Sequence, residues 1–274
     1  MRLAYQGEPG AYSEAAARVF SPHADTLPCK TFDEVFEAVV EQRATHGIVP
    51  MENSVGGTIH RNYDLLVDHE IPITGEVELD VVHCLQALPG TTIDEIKTVY
   101  SHPQALAQCE RYLKDLGVTV EAVYDTAGGA KLVAEQRLTG AAALASRRAA
   151  DVFGLEVLQE AVQDFEFNIT RFFVIGGAAP TDANKTTIVF ALPSTPGSLF
   201  KALSVFALRD INLSKLESRP IRGRPWEYLF YVDIDSRRDE LPCARALTQL
   251  GEFAKWVRVL GTYKGWEKAR QVQM

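Results

Sequence analysis

Between Arg2 and Phe153 the sequence repeats one unit: a short apolar run, a polar loop, and a stretch with helical character. Residues 2–6 read as a strand, Gly7-Glu-Pro-Gly10 as a turn, and an alanine-rich helix runs from Ala11 to about Phe20. Gly47–Pro50 is strand-like, Met51–Gly57 is a polar, glycine-bearing loop, and Thr58 opens a helix to about His69. The unit recurs at Thr98–Tyr100 with Ser101–Gln104 and a helix to Leu116, and at Val118–Tyr124 with Asp125-Thr126 and a helix to Gln136. It closes at Ala141–Ala145 with Ser146-Arg147-Arg148 and a short helix to Phe153. Strands alternating with helices predict a largely parallel α/β sheet. Each polar loop follows the carboxyl end of a strand, and in open α/β sheets that edge binds ligands. Helix N-termini there offer free N–H groups and a partial positive charge, which suit an anion. Pro103 fits the first helical position, which makes His102 or Ser101 the cap. Gly56-Gly57 allows backbone amides to come close to a ligand.

Glu70–Leu85 alternates apolar and polar residues, the mark of a half-exposed strand. It is expected to link two lobes, with the chain crossing back near Leu155–Glu160, so that a cleft lies between them. Turn formers at Gly176–Asn184 mark a domain boundary. Beyond it the order is strand (Thr186–Leu192), helix (Gly197–Ala207), strand (Leu213–Ser218), strand (Tyr228–Asp235), helix (Leu241–Leu250), strand (Val257–Tyr263). That βαββαβ order is ferredoxin-like, and its open edges are commonly paired with another subunit. The expected domains are 1–178, with a second lobe at roughly 80–160, and 185–266.

The 274 residues are 46% apolar and 23% charged, the balance of a globular protein. No apolar run approaches the ~18 residues of a membrane span. A net charge of −8 without a basic patch excludes a nucleic-acid partner. Cys29, Cys84, Cys109 and Cys243 show no CxxC spacing and read as reduced thiols. The N-terminal stretch lacks the apolar core of an export signal, so a cytoplasmic location is expected. With no phosphate loop, dinucleotide fingerprint or metal-ligand spacing, no cofactor and no metal are expected. An acidic protein that binds an acidic metabolite must concentrate its donors locally.

The candidate for that concentration is Asn168-Ile-Thr-Arg-Phe-Phe-Val-Ile-Gly176. The run Phe172–Ile175 reads as a short buried strand. At its entrance stand an amide (Asn168), a hydroxyl (Thr170) and a fixed positive fork suited to a carboxylate (Arg171). Such a set can hold an anion and protonate it nearby.

The chain resembles the prephenate dehydratases, in the form that carries a C-terminal ACT regulatory domain. Gly7-Glu-Pro-Gly-Ala-Tyr-Ser13, Pro50-Met-Glu-Asn-Ser-Val-Gly-Gly57, Ser101-His-Pro-Gln-Ala-Leu-Ala-Gln-Cys109 and Asp164-Phe-Glu-Phe-Asn-Ile-Thr-Arg-Phe172 follow the order of that family's motifs. Pro196-Gly-Ser-Leu199 and Glu217-Ser-Arg-Pro220 resemble the two ACT motifs. The sequence departs at Ser198, where alanine is usual, and at Gly128-Gly129, where alanines are usual. The glycines cost a helix up to ~1 kcal/mol each, with no functional reason legible in the sequence. No chorismate mutase segment is read ahead of the first motif, and that activity is not expected.

The resemblance implies a two-lobed, periplasmic-binding-protein-like catalytic domain followed by an ACT domain. It implies decarboxylative dehydration of prephenate to phenylpyruvate, water and carbon dioxide. Thr170 would donate to the departing hydroxyl. Arg171 would bind the side-chain carboxylate or order the site. Glu52 would be either a buried acid with a raised pKa or a structural partner of Arg171. Asn53, Ser54, Ser101, Gln108, Asn168 and Phe172 would form the substrate site. Pro196, Gly197, Ser198, Leu199, Glu217, Ser218, Arg219 and Pro220 would bind L-phenylalanine as an inhibitor, in a dimer or tetramer. Two other readings stay open: arogenate dehydratase, whose substrate has an amino group in place of the side-chain keto group, and a non-catalytic amino-acid sensor.

Overall fold

The computed structural model describes residues 1–266. It divides into two units, one of Met1–Leu65 with Val77–Phe173, the other of Leu66–Glu76 with the chain from Val174 onward. In chain order the elements through the first unit are β1 (Arg2–Gln6), α1 (Tyr12–Phe20), β2 (Asp25–Cys29), α2 (Phe32–Val40), β3 (His46–Asn53), β4 (Gly57–Thr58), α3 (His60–Asp68) and β5 (Ile73–Asp80). There follow β6 (Cys84–Ala87), β7 (Thr98–Ser101), α4 (Pro103–Gln108), α5 (Glu110–Leu116), β8 (Thr119–Ala122), α6 (Thr126–Glu135), β9 (Ala141–Ala145), α7 (Arg147–Phe153), β10 (Glu156–Gln159) and β11 (Ile169–Ile175).

The first unit holds two sheets. In one, β1 pairs in parallel with β2 and β3, within the order β2-β1-β3-β11-β5. In the other, ordered β10-β6-β9-β7-β8, β7 is parallel to β8 and β9. The expected two α/β lobes are therefore present, joined where β5 leads to β6 and β10 leads to β11. The second sheet is mixed, however, because β6 runs antiparallel to both of its neighbours, β9 and β10. Strand β6 follows β5 directly, with no helix between them to return it in the parallel sense. The single strand expected over Glu70–Leu85 is broken at 81–83. There Val81 donates its N–H to Asn168 O (2.7 Å) and the His83 N–H goes to Gln163 Oε1 (3.0 Å). Residues 73–77 are buried on both faces, so β5 is an interior strand and not a half-exposed one. Sequence reading also passed over β2 and α2 entirely.

The Gly128-Gly129 pair, unexplained by sequence, has a packing reason. A Cβ on Gly128 would stand 2.6 Å from the Tyr124 ring, and one on Gly129 would stand 2.9 Å from the Tyr100 carbonyl oxygen. Helix α6 thus lies closer to β7 than alanine would permit.

The two lobes of this unit are clasped by a buried carboxylate. Glu14 on α1 is only 2% exposed. It accepts from the Gly10 N–H (2.7 Å), from Arg18 (2.7 and 2.9 Å) and from Arg148 on α7 (3.0 and 3.1 Å). Beside it Ser146 Oγ donates to Gly10 O at 2.6 Å. Gly10 has φ +92°, and a Cβ there would meet Ala149 Cα at 2.7 Å, so only glycine fits.

The second unit continues with β12 (Lys185–Ala191), α8 (Ser198–Ala207), β13 (Leu213–Pro220), β14 (Tyr228–Ile234), α9 (Leu241–Phe253) and β15 (Trp256–Lys264). The order β13-β14-β12-β15, antiparallel between β13 and β14 and on both sides of β12, is the ferredoxin-like arrangement expected. Ile188, Phe190, Val232 and Ile234 face α8 and α9 across a core with Phe206 and Leu250. Among the described residues no helix is long and apolar enough to cross a membrane.

The Glu14 clasp makes a stability prediction. Burial alone would push its carboxyl up; the bonds from Arg148, the Gly10 N–H and Arg18 outweigh this and hold it at about 2, against an ordinary 4.5. A depressed pKa contributes stability above pH 4.5 that is lost as pH falls toward 2. Glu14→Gln is expected to lower the unfolding free energy at pH 7 by about 3 kcal/mol and to flatten acid unfolding between those limits. Urea titrations at pH 7 and pH 3 measure both. A pH dependence identical to that of the wild type would refute the clasp.

Candidate active site

A cavity of about 510 Å³ opens within the first unit, lined in part by Tyr12, Lys30, Asn53, His83, Gln108, Asp125, Thr170 and Phe172. Residues from the starts of α1, α2, α4 and α6 share the lining, namely Tyr12 and Ser13, Phe32 and Asp33, Gln104 and Ala105, and Thr126. The carboxyl-edge rule thus locates the cavity correctly. His102 caps α4 as expected, accepting from the Gln104 N–H at 3.2 Å, with Pro103 at the first position.

The polar wall of the cavity is a chain of side-chain hydrogen bonds with a fixed direction. It starts at Asn53, which ends β3. Its Oδ1 faces the backbone N–H groups of Val55 (3.1 Å) and Gly56 (2.7 Å). Backbone N–H groups only donate, so this atom must be the oxygen. The amide nitrogen therefore points the other way and donates to Asn168 Oδ1 (2.7 Å) and Thr170 Oγ1 (2.9 Å). Asn168 in turn donates from Nδ2 to Gln108 Oε1 (3.0 Å), and Gln108 Nε2 returns to Asn53 Oδ1 (3.2 Å). His83 Nε2 meets that same Gln108 Oε1 at 2.9 Å and must carry the proton there. Its Nδ1 is then an acceptor 2.9 Å from Tyr12 Oη, whose one proton serves either it or Val82 O at 2.7 Å.

One consequence concerns Thr170. Its oxygen accepts from Asn53, so its own proton is left to point elsewhere, and Thr170 lines the cavity. That leaves the Thr170 proton available to a molecule held in the cavity. Burial holds the His83 imidazole below its ordinary pKa of 6.5, with the Gln108 bond opposing. The wall is therefore neutral near pH 7.

The structure sorts the residues singled out by sequence. Thr170, Asn53, Gln108 and Phe172 line the cavity, and Asn168 is buried just behind them in the same network. Ser54 does not line it. Its hydroxyl donates to Phe167 O and accepts the Ile169 N–H, fastening the loop after β3 to the start of β11. Ser101 is a correction: it is fully buried and gives its one proton to Leu144 O at 2.6 Å, tying β7 to β9. Arg171 is a second correction. Successive strand residues face opposite sides, so Thr170 and Phe172 face the cavity while Arg171 lies 4.7 Å over the Phe173 ring. Glu52 also lies outside the lining.

Sequence reading missed Lys30, Asp33, His83 and Asp125 as lining residues. Lys30 to Glu34 carried a signal: Thr31 caps α2 by accepting from the Glu34 N–H (3.2 Å), and Glu34 reaches back to the Lys30 N–H (2.7 Å). That Thr-x-x-Glu pattern marks a helix start on the same edge. His83 had no local signal. Among the described residues no cluster of three or more His, Cys, Asp or Glu is placed to hold a metal ion.

In the second unit, Pro196–Leu199 form the turn into α8, where Gly197 has φ +77° and Ser198 Oγ donates to Thr195 O at 2.9 Å. Glu217–Pro220 end the edge strand β13.

Comparison with known proteins matches residues 3–180 to the prephenate dehydratase family and residues 186–252 to the ACT domain. The Arabidopsis thaliana protein named arogenate dehydratase/prephenate dehydratase 2, chloroplastic, is 48% identical over 96% of this chain and 72% of its own length. Among solved structures, the prephenate dehydratase of Arthrobacter aurescens in complex with L-Phe matches with a TM-score of 0.86 and 30% identity over 96% of this chain and 90% of its own. GqqA, described as a novel type of quorum quenching acylase, matches with a TM-score of 0.89 and 35% identity over 97% and 98%. The cytoplasmic location expected above is corrected by the plant relative, which is chloroplastic. Reduced thiols and an acidic, globular composition are common to cytosol and plastid stroma, so they do not separate the two.

The direction of the hydrogen-bonded wall is testable. Asn53→Asp keeps an acceptor for the Val55 and Gly56 N–H groups but turns a second oxygen toward Asn168 Oδ1 and Thr170 Oγ1. The variant is expected to lose about 2–4 kcal/mol of stability in urea titration, from opposed acceptors and orphaned partners. Stability within about 0.5 kcal/mol of wild type, the range of an ordinary surface change, would mean that the amide is oriented the other way.

Proposed function

The chain belongs to the prephenate dehydratase family and is a dehydratase, and from that premise we propose that it carries out the decarboxylative dehydration of prephenate, to phenylpyruvate, water and carbon dioxide, or the same reaction on its amino counterpart arogenate. The observation that carries this reading is the Thr170 hydroxyl, supported from behind by Asn53 and facing the cavity. In the reaction the bond from the ring to its carboxylate breaks and its electron pair enters the ring. The ring C–O bond breaks as aromaticity is gained, and the departing oxygen takes the Thr170 proton to leave as water. A threonine hydroxyl is a weak acid. The Asn53 N–H aimed at its oxygen stabilises the negative charge that develops there, and solvent returns the proton afterwards. Gln108 and Asn168 hold Asn53 in register. Arg171, over the Phe173 ring and outside the lining, is assigned no contact with the substrate. No step requires a metal or a redox cofactor.

We assign residues 1–178 as the catalytic domain and 185–266 as the regulatory one. L-Phenylalanine, the molecule present in the Arthrobacter aurescens structure, is the proposed effector. Its sites would be the turn Pro196–Leu199 and the strand end Glu217–Pro220, brought together between copies of the chain in a dimer or tetramer. The edge position of β13 supports that pairing. An acylase activity like the one in GqqA's description would need a nucleophile held by a general base. Thr170 faces an amide donor instead, which favours dehydration.

Two measurements decide. Thr170→Ala is expected to lower kcat by about 10²–10⁴ with KM little changed, the pattern for a group acting in the transition state, and Thr170→Ser to restore most of it. Phenylpyruvate absorbance in the ultraviolet reports both, and an unimpaired alanine variant would remove Thr170 from the mechanism. Calorimetry with L-phenylalanine is expected to give saturable binding that Gly197→Val weakens. No heat of binding would end the regulatory reading and leave the catalytic one intact.

A further inference from the structure

The ionic groups around the cavity are few, and their pairing is uneven. Lys30, Asp33 and Asp125 line it, with His83 and His102. Asp33 is neutralised by Arg61, which meets both of its oxygens. Glu8, which flanks Asp125, is neutralised by Lys131 at 3.2 Å. Asp125 is different. Its carboxylate accepts from the Glu8 N–H at 2.8 Å and faces the Thr126 hydroxyl at 3.4 Å. Among the described residues it makes no ion pair. His102 does not supply the missing charge near neutrality, because burial holds its pKa below 6.5.

Asp125 is also held firmly. It occupies the N-cap position of α6, its backbone is extended at φ −154°, and its contact with the Glu8 N–H joins the first turn of the chain to this loop. Tyr124, seated against Gly128, reinforces that join by donating to Glu8 Oε1 at 2.8 Å. A partly buried carboxylate fixed at a cavity wall without a counter-charge is costly unless the ligand brings one. Burial, with the neighbouring Glu8 charge, accordingly pushes the Asp125 carboxyl above its ordinary range.

The two candidate substrates differ at one group. Prephenate carries a keto oxygen on its side chain, and arogenate carries an ammonium there. A keto oxygen only accepts hydrogen bonds, as an ionised carboxylate does, so Asp125 offers prephenate no bond and adds a repulsive charge to a dianion. An ammonium donates three hydrogen bonds and brings the missing positive charge. We propose that Asp125 is the specificity determinant of the cavity, binding the substrate's amino group and setting the enzyme toward arogenate. Among the described residues of the lining, Lys30, just before α2, is the lysine or arginine left to meet a carboxylate. The proposal rests on the dehydratase reading above and names the substrate within it.

The test compares kcat/KM for arogenate and for prephenate in the full-length enzyme. The wild type is expected to favour arogenate. Asp125→Asn keeps size and an oxygen for the Glu8 N–H but removes the charge, and Asp125→Ser keeps a hydroxyl acceptor should the first variant fold poorly, which circular dichroism reports. In whichever variant folds, the arogenate-to-prephenate ratio of kcat/KM is expected to fall at least fivefold. A smaller change, or a wild type that favours prephenate, overturns the proposal. A wild type that forms neither phenylalanine from arogenate nor phenylpyruvate from prephenate instead overturns the dehydratase reading itself.

Discussion

Two backbone N–H groups, those of Val55 and Gly56, fix the direction of every hydrogen bond in the cavity wall. They can only donate, so they fix the Asn53 amide, and the Asn53 amide fixes Asn168, Gln108, His83 and Thr170 in turn. The arrangement is in place before any substrate arrives, and in the proposed step no group need reorient as charge develops on the Thr170 oxygen. It is also built from neutral groups. Burying amides and a hydroxyl with their partners satisfied avoids the desolvation cost that a buried arginine or carboxylate would impose at the same place. Arg171, the one permanent cation in the Asn-x-Thr-Arg-Phe stretch, faces away from this wall.

The network exists only because the fold brings remote segments together. Asn53 ends β3 and Thr170 begins β11, neighbours in one sheet. Ser54 locks the two by exchanging bonds with Phe167 and Ile169. Gln108 and His83 come from the other lobe, so the wall is complete only when the lobes are held in register. Glu14 and the Gly10–Ser146 contact hold them, on α1 and α7. A buried ion pair is a weak source of net stability but a strong source of specificity, because breaking it leaves an uncompensated charge. Here it selects one relation between lobes out of the many that a two-strand connection would allow.

This explains which parts of the molecule were legible in the sequence. The alternation of strand, loop and helix is local and held, and the cavity lies at the carboxyl edge that this alternation singled out. Thr170, Asn53 and Gln108, which line the cavity, were singled out because they lie in such loops or in distinctive motifs. Arg171 was misplaced although the needed rule was at hand: on a strand, the neighbour of a cavity residue faces the other way. Ser101 was misplaced because a hydroxyl at a strand end serves a neighbouring carbonyl as readily as a ligand. His83 was invisible because its position depends on a break in the chain at 81–83. Asn168 and Gln163, 80 residues or more away, hold that break in place. The Gly128-Gly129 pair looked like a defect until the Tyr124 ring and the Tyr100 carbonyl supplied its reason.

An acidic chain that takes an acidic substrate faces a conflict of sign, and the cavity resolves it by geometry. With a net charge of −8 the long-range field does not draw an anion in. The first turns of α1, α2 and α6 face the cavity, and partial positive charges of helix ends act over a turn or so, where the bulk charge is screened. Dipoles supply attraction without adding a full charge that would itself need solvation. They also do not titrate, so attraction for the carboxylates does not fade as pH rises. In such a surrounding each full charge has a disproportionate effect, because little else of its kind opposes it. A single unpaired carboxylate on the wall then matters more to the choice of ligand than the whole surplus of negative charge on the surface.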